Sequence, residues 1–184
     1  MMDNFLEEVV VRRRSGLYSF AYVLCWITIV LSGVLALIGL QGVMGLLAGG
    51  SFDLGSLIMT VAFGLIAFFL WRNKDTLKTE YEYTFTNGDL DVGKVLNNQK
   101  RKYLTSLNMK NVEAAGEVTS PSFQRYITMP DVKRHNWFLN RDSKLYYYYF
   151  AKNGVKHIIV LELSDKMAEL TRKPNYMGMG VWQK

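Results

Sequence analysis

Four cations crowd one short turn: Lys94, Lys100, Arg101 and Lys102, in "KVLNNQKRK". Near an anionic membrane leaflet each cation contributes about 1 kcal/mol of attraction, screened within a Debye length. The cluster is therefore a candidate contact for lipid headgroups or an acidic partner. The competing reading is a solvated turn that keeps the domain soluble, and the sequence leaves both open. Asp89 and Asp91 in "GDLD" could bind a cation or work as acid and base, but carboxylates beside a hairpin turn are usually solubilising. His135 and His157 are the only histidines, and they fall in no HxxxH or HxxE grouping. "YYYYF", Tyr146 to Phe150, offers stacking rings, yet strand alternation divides them between two faces and favours a core role. No GxSxG, phosphate-binding loop or GxGxxG occurs. The expectation is a non-catalytic chain with no catalytic, cofactor-binding or metal residues and no nucleic-acid partner.

These residues need elements to hold them. "TEYEYTFTNGDLDV" alternates apolar and polar residues around Asn87-Gly88, the strongest two-residue hairpin signal, since both positions need positive φ. A two-residue loop sets Phe85 opposite Leu90 and Tyr83 opposite Val92, with Glu82, Thr84, Asp89 and Asp91 on the other face. A second turn at Asn97-Asn98 leads into "KRKYLTSL". "NMKNVEAAGEV" and "SFQRYITM" suggest further extended segments, and "PDVKRHNWFLNRDS" a loop or short turn. "KLYYYYF" and "VKHIIVLEL" flank Asn153-Gly154, which places Tyr148 opposite Ile159 and Tyr146 opposite Leu161. Both faces of that hairpin are apolar, which predicts a central pair covered on each side. "SDKMAELTRKP" carries a capping Ser164, a helix-favouring Asp165 and a stop at Pro174. About six or seven antiparallel strands and one short terminal helix are expected.

Charge divides the chain. Residues 15–71 hold a single charged residue, Asp53, whereas residues 72–184 hold 19 Lys and Arg against 12 Asp and Glu. Leu17 to Leu40 reaches roughly 36 Å as a helix and Leu54 to Trp71 roughly 27 Å, against a hydrocarbon core of about 30 Å. The first run is too long for a signal-peptide core and has no small-x-small cleavage site. Arg12, Arg13 and Arg14 precede the first span, and Arg72, Lys74 and Lys78 follow the second. The intervening "QGVMGLLAGGSFD" has no Lys or Arg, so both termini are expected in the cytoplasm. The one cysteine, Cys25, excludes a disulfide framework. "MMDNFLEEVVVRRR" reads equally as a short interfacial helix or a frayed tail.

The expected domains are a cytoplasmic segment over 1–16, a transmembrane helical hairpin over 17–71 (about 17–40 and 54–71), a soluble domain over 72–174 and a tail over 175–184. The fold class is a two-helix membrane hairpin followed by an antiparallel β-sandwich or half-barrel with a C-terminal helix. With "MDNFLEEVVVRRR", "EYEYTFTNGDLDVGKVLNNQKRKYLTSLNMKNVE" and "HIIVLELSDKMAEL", about a third of its length, the chain resembles bacterial membrane-anchored proteins with two N-terminal helices and a pleckstrin-homology (PH)-like domain. It is similar to an uncharacterised group from Gram-positive anaerobes. The resemblance implies architecture and a multi-pass place in the bacterial plasma membrane, and brings no catalytic residues. In eukaryotic PH domains the first turn binds phosphoinositides; here the basic cluster falls at the second. The expected function is a membrane-anchored binding or scaffold module that engages a protein partner, a second copy or anionic lipid headgroups. The alternative is an accessory or regulatory subunit of a membrane enzyme or transporter, acting through its helices.

Overall fold

The computed structural model describes residues 4–47, 49–51, 53–178 and 181–183. The chain forms two units, one of residues 14–79 and one of residues 1–13 together with 80–184.

The first unit is helical. Helix α1 spans Ser15–Leu47 and α2 spans Leu54–Asn73, followed by a 3-10 turn over Lys74–Lys78. Asp53 caps α2, accepting from the amides of Gly55 at 3.0 Å and Ser56 at 3.1 Å. Both helices are long and apolar enough to cross a membrane, and α2 buries none of its side chains. The two helices approach closely where small residues meet. A Cβ on Gly39 would lie 2.6 Å from the Thr60 hydroxyl and 2.9 Å from the Ser56 carbonyl, so only glycine fits there.

The second unit is built on two facing sheets that do not close into a barrel. Strands β1 (Phe5–Val10), β2 (Thr79–Thr86), β3 (Asp89–Leu96) and β4 (Lys100–Asn108) form the first sheet in the order β1-β2-β3-β4. Strands β5 (Val112–Glu117), β6 (Val132–Trp137), β7 (Tyr146–Lys152), β8 (Val155–Leu161) and β9 (Val181–Gln183) form the second, in the order β6-β8-β7-β5-β9. Helices α3 (Pro121–Thr128), α4 (Asp165–Thr171) and α5 (Pro174–Met177) complete the unit.

All three expected hairpin turns have positive φ at both central residues: Asn87 and Gly88, Asn97 and Asn98, Asn153 and Gly154. Tyr83, Phe85, Leu90 and Val92 are fully buried, and Tyr148 pairs with Ile159 and Tyr146 with Leu161 as the turns require. The main core lies between the sheets, with Met167 and Ala168 of α4 closing it. Tyr147, Tyr149, Ile158 and Val160 form a second core on the other face of β7 and β8, under Phe123, Tyr126 and Ile127 of α3. The β7–β8 hairpin is thus covered on both faces.

Four local expectations are corrected. Phe5–Val10 is neither an interfacial helix nor a frayed tail; it pairs antiparallel with β2 from Phe5↔Thr86 to Val10↔Tyr81. "PSFQRYIT" is helical, because Phe123, Tyr126 and Ile127 recur at a helical period and Pro121 occupies the first turn. "VKRHNW" is a strand whose parallel pairing with β8, rather than its own weak pattern, makes it one. The tail adds β9, which brings the strands to nine among the described residues; its parallel pairing with β5 and that of β6 with β8 make the second sheet mixed.

Candidate functional site

The basic turn is an exposed hairpin tip. Lys94 lies directly opposite Lys102, Val95 opposite Arg101 and Leu96 opposite Lys100. A register shift between Val92 and Gly93 separates this tip from the rest of the β3–β4 ladder, and Val95, 3% exposed, anchors it. Glu82, Asp91, Lys94, Arg101, Lys102 and Tyr103 border a shallow groove of about 200 Å³. Arg101 reaches back to Glu82 at 3.2 Å, so part of its charge is already paired. Lys100 and Lys102 are exposed, and Lys94 is half-buried. The four cations chosen from the sequence therefore share one tip, with Arg101 engaged by Glu82 of strand β2.

The position of this tip matters more than its composition. Strand β2 begins at Thr79, and antiparallel β3 ends beside that start at Leu96. The Val10↔Tyr81 pairing puts the end of β1 there too. The basic tip thus lies at the end of the sheet where the chain departs for α1 and returns from α2.

The flanking cations differ in what they touch. Arg13 binds Asp142 at 2.8 Å, and its amide donates to the Asn140 side chain at 2.9 Å. Arg12 precedes it and Arg14 lies exposed in the turn before α1. Arg72 sits exposed in the last turn of α2. Lys74 lies over the rings of Trp26 and Trp71, at 5.1 and 5.4 Å, and Lys78 over Tyr22 at 4.2 Å.

Beside the same end of the domain lies a polar knot that sequence reasoning missed. The Glu162 carboxylate accepts from the Leu139 and Asn140 amides at 3.2 and 3.0 Å, the Asn140 side chain at 2.9 Å and the Ser143 hydroxyl at 2.6 Å. Asn140 also donates to the Val11 carbonyl at 2.9 Å, which ties the exit of β1 to the second sheet. The available signal was an acid in a mostly apolar run, "HIIVLEL", where it follows the last residue of β8. Close by, Lys144 holds the Asp165 carboxyl below its usual range by a 2.8 Å bond, assisted by the Tyr146 hydroxyl. Burial, and then Asp165, pushes Tyr146 up to about 12.

The other candidates are absorbed by the fold. Asp89 accepts from Asn108 at 2.7 Å beside the first turn. Tyr146, Tyr148 and Phe150 point into the main core, and Tyr147 and Tyr149 into the second, so the ring run presents no stacking surface. His135 and His157 share a 3.3 Å nitrogen–nitrogen hydrogen bond inside a column of rings that also includes Trp137 and Phe150. Burial, followed by the charge of Lys133, holds His135 below its ordinary pKa. Burial, then His135, Lys133 and Lys152, does the same for His157. Among the described residues no three His, Cys, Asp or Glu side chains converge as a metal centre requires.

A family model described as "Bacterial PH-like domain (DUF6106)" matches residues 2–177. No curated protein and no solved structure matches the chain. The chain belongs to this family of bacterial PH-like domains.

Proposed function

We propose that this member of the bacterial PH-like family is a non-catalytic, membrane-anchored binding module whose β3–β4 tip engages anionic lipid headgroups. PH-like domains generally bind rather than catalyse, and two helices long enough to span point to a membrane. The observation that carries the reading is the placement of Lys94, Lys100, Arg101 and Lys102 at the sheet end joined to both helices. Tethering raises the local headgroup concentration, so even weak attraction suffices. The antiparallel pairing of β1 with β2 supports a helical hairpin whose two ends emerge on one side. The connecting loop, which has no Lys or Arg, and the Arg12–Arg14, Arg72, Lys74 and Lys78 flanks point to that side as the cytoplasm.

Three charge reversals test this on the full chain in detergent micelles: Lys94→Glu, Lys100→Glu and Lys102→Glu together. Anionic lipid titrated into wild type should raise its Tm in a salt-sensitive manner, and zwitterionic lipid should not. At about 1 kcal/mol per cation, the triple variant should bind about a hundredfold more weakly. An equal response to both lipids, or a variant indistinguishable from wild type, would refute lipid recognition.

A second reading, an accessory subunit acting through its helices, draws on Gly33 and Gly64. Both lie beside open space, where a second membrane helix could approach closely. Stoichiometric co-purification of one membrane protein, lost on Gly33→Leu, would favour it.

A further inference from the structure

The C-terminal strand β9 is three residues long and runs parallel to β5, pairing Ala114 with Val181, Ala115 with Trp182 and Gly116 with Gln183. Its backbone comes so close that a Cβ on Gly116 would lie 2.5 Å from the Gln183 carbonyl oxygen. The edge of β5 is thus walled by Ala, Ala and Gly, residues that admit another backbone. Trp182 is the anchor: its ring centroid lies 5.9 Å from that of Tyr146 and 6.4 Å from that of Tyr148. Val181 by contrast is 54% exposed.

The tail does not fill the place it occupies. Beside Trp182 an open hollow of about 560 Å³ is bordered by Glu169, Arg172, Lys173 and Pro174. Two of those residues are cations, and the single carboxylate, Glu169, lies 3.8 Å from Arg172. The strand "VWQ" brings no acid to meet them. The family match ends at residue 177, so β5 and α4 fall within the matched span and β9 beyond it.

We propose that the edge of β5, with the C-terminal end of α4, is a docking groove for an extended segment of a partner protein bearing a tryptophan anchor and a nearby acid. The chain's own tail occupies this groove in cis. Main-chain pairing to β5 supplies affinity, and the slot against Tyr146 and Tyr148 supplies selection for a large ring. In an extended partner segment a carboxylate two residues after the tryptophan shares that ring's strand face, the face on which Trp182 borders the hollow with Arg172 and Lys173. A partner carrying it gains an attraction that the tail lacks, which offsets the tail's advantage of high effective concentration. This surface is separate from the basic tip, and neither depends on the other.

The test uses the full chain in detergent and fluorescent peptides of the sequence 178–184. Three peptides are compared: the native tail, one with Lys184→Glu, and one with Trp182→Ala. Displacing the cis tail by Trp182→Ala in the chain should strengthen native-peptide binding at least tenfold over wild type. The Lys184→Glu peptide should bind several-fold tighter still and lose that gain in high salt. The Trp182→Ala peptide should not bind, and adding Gly116→Val to the chain should abolish binding. A folded Trp182→Ala chain that binds no better than wild type overturns the proposal. Should that chain not fold, hydrogen exchange on wild type decides: excess Lys184→Glu peptide must slow the amides of residues 114–116, and unchanged exchange overturns the proposal.

Discussion

Glu162 and the two histidines are where single residues carry the most consequence. Removing the Glu162 carboxylate strips four donors of their shared acceptor, and Asn140, which supplies two of them, is buried. Glu162→Ala should therefore destabilise the domain by about 2–3 kcal/mol, read as a lower Tm of the purified chain. Glu162→Gln, which keeps one acceptor oxygen, should cost less. The histidines set a pH dependence. Their folded pKa values lie below the ordinary value of about 6.5, so the unfolded chain takes up more protons as the pH drops below that value. Stability is then full above about pH 6.5 and declines as the pH falls through the lowered values. The double variant His135→Gln, His157→Gln should flatten the decline in Tm between about pH 7 and pH 5. A slope unchanged by that variant would assign the dependence to other groups. Such roles were only faintly legible in the sequence, because burial depends on residues far along the chain.

Among the elements, β1 decides how the domain can be isolated. It is an edge strand whose Leu6 and Val10 pack on the main core, each contributing about 1–2 kcal/mol. Glu8 adds a bond to the Ser164 amide at 3.1 Å, and Asn4 one to the Tyr176 hydroxyl at 2.6 Å. A chain starting at Glu80 should therefore unfold without a cooperative transition. A chain in which Val10 is joined to Tyr81 through an Asn-Gly turn should melt cooperatively, because those two residues already face each other across the ladder. Equal melting of the two constructions would show that β1 is dispensable. The hairpins around Asn87, Asn97 and Asn153 were readable because turn chemistry and alternation agree within a few residues. Strand β1 was not, since its partner residues lie between about seventy and eighty positions away. Strand β6 was hidden by Lys133, Arg134 and His135, which an edge position tolerates and a central one does not.

For the whole molecule, the helical hairpin is an insertion between two neighbouring strands rather than an anchor placed ahead of a domain. Two consequences follow if the helices span. The segment before α1 and the segment after α2 must share one side, and the 48–53 connection must lie on the other. In a Cys25→Ser background, Ser51→Cys should react with an impermeant thiol reagent added to intact cells, and Gln99→Cys should react only after lysis. Labelling of both in intact cells, or of neither, would contradict this topology.

The residue order alone determined the two apolar helices, the three type-selecting turns, the faces of β2, β3, β7 and β8, and the cap of α4. Each of these follows from periodicity or φ preference over a short window. Only the tertiary structure decided that β1 belongs to the sheet, that the basic tip shares an end with both helix connections, and that Glu162 is ringed by donors. Nor could the sequence reveal that the tail lies along β5. These features rest on pairing and burial between segments distant in the chain. There the free energy of association, rather than any local preference, selects the conformation.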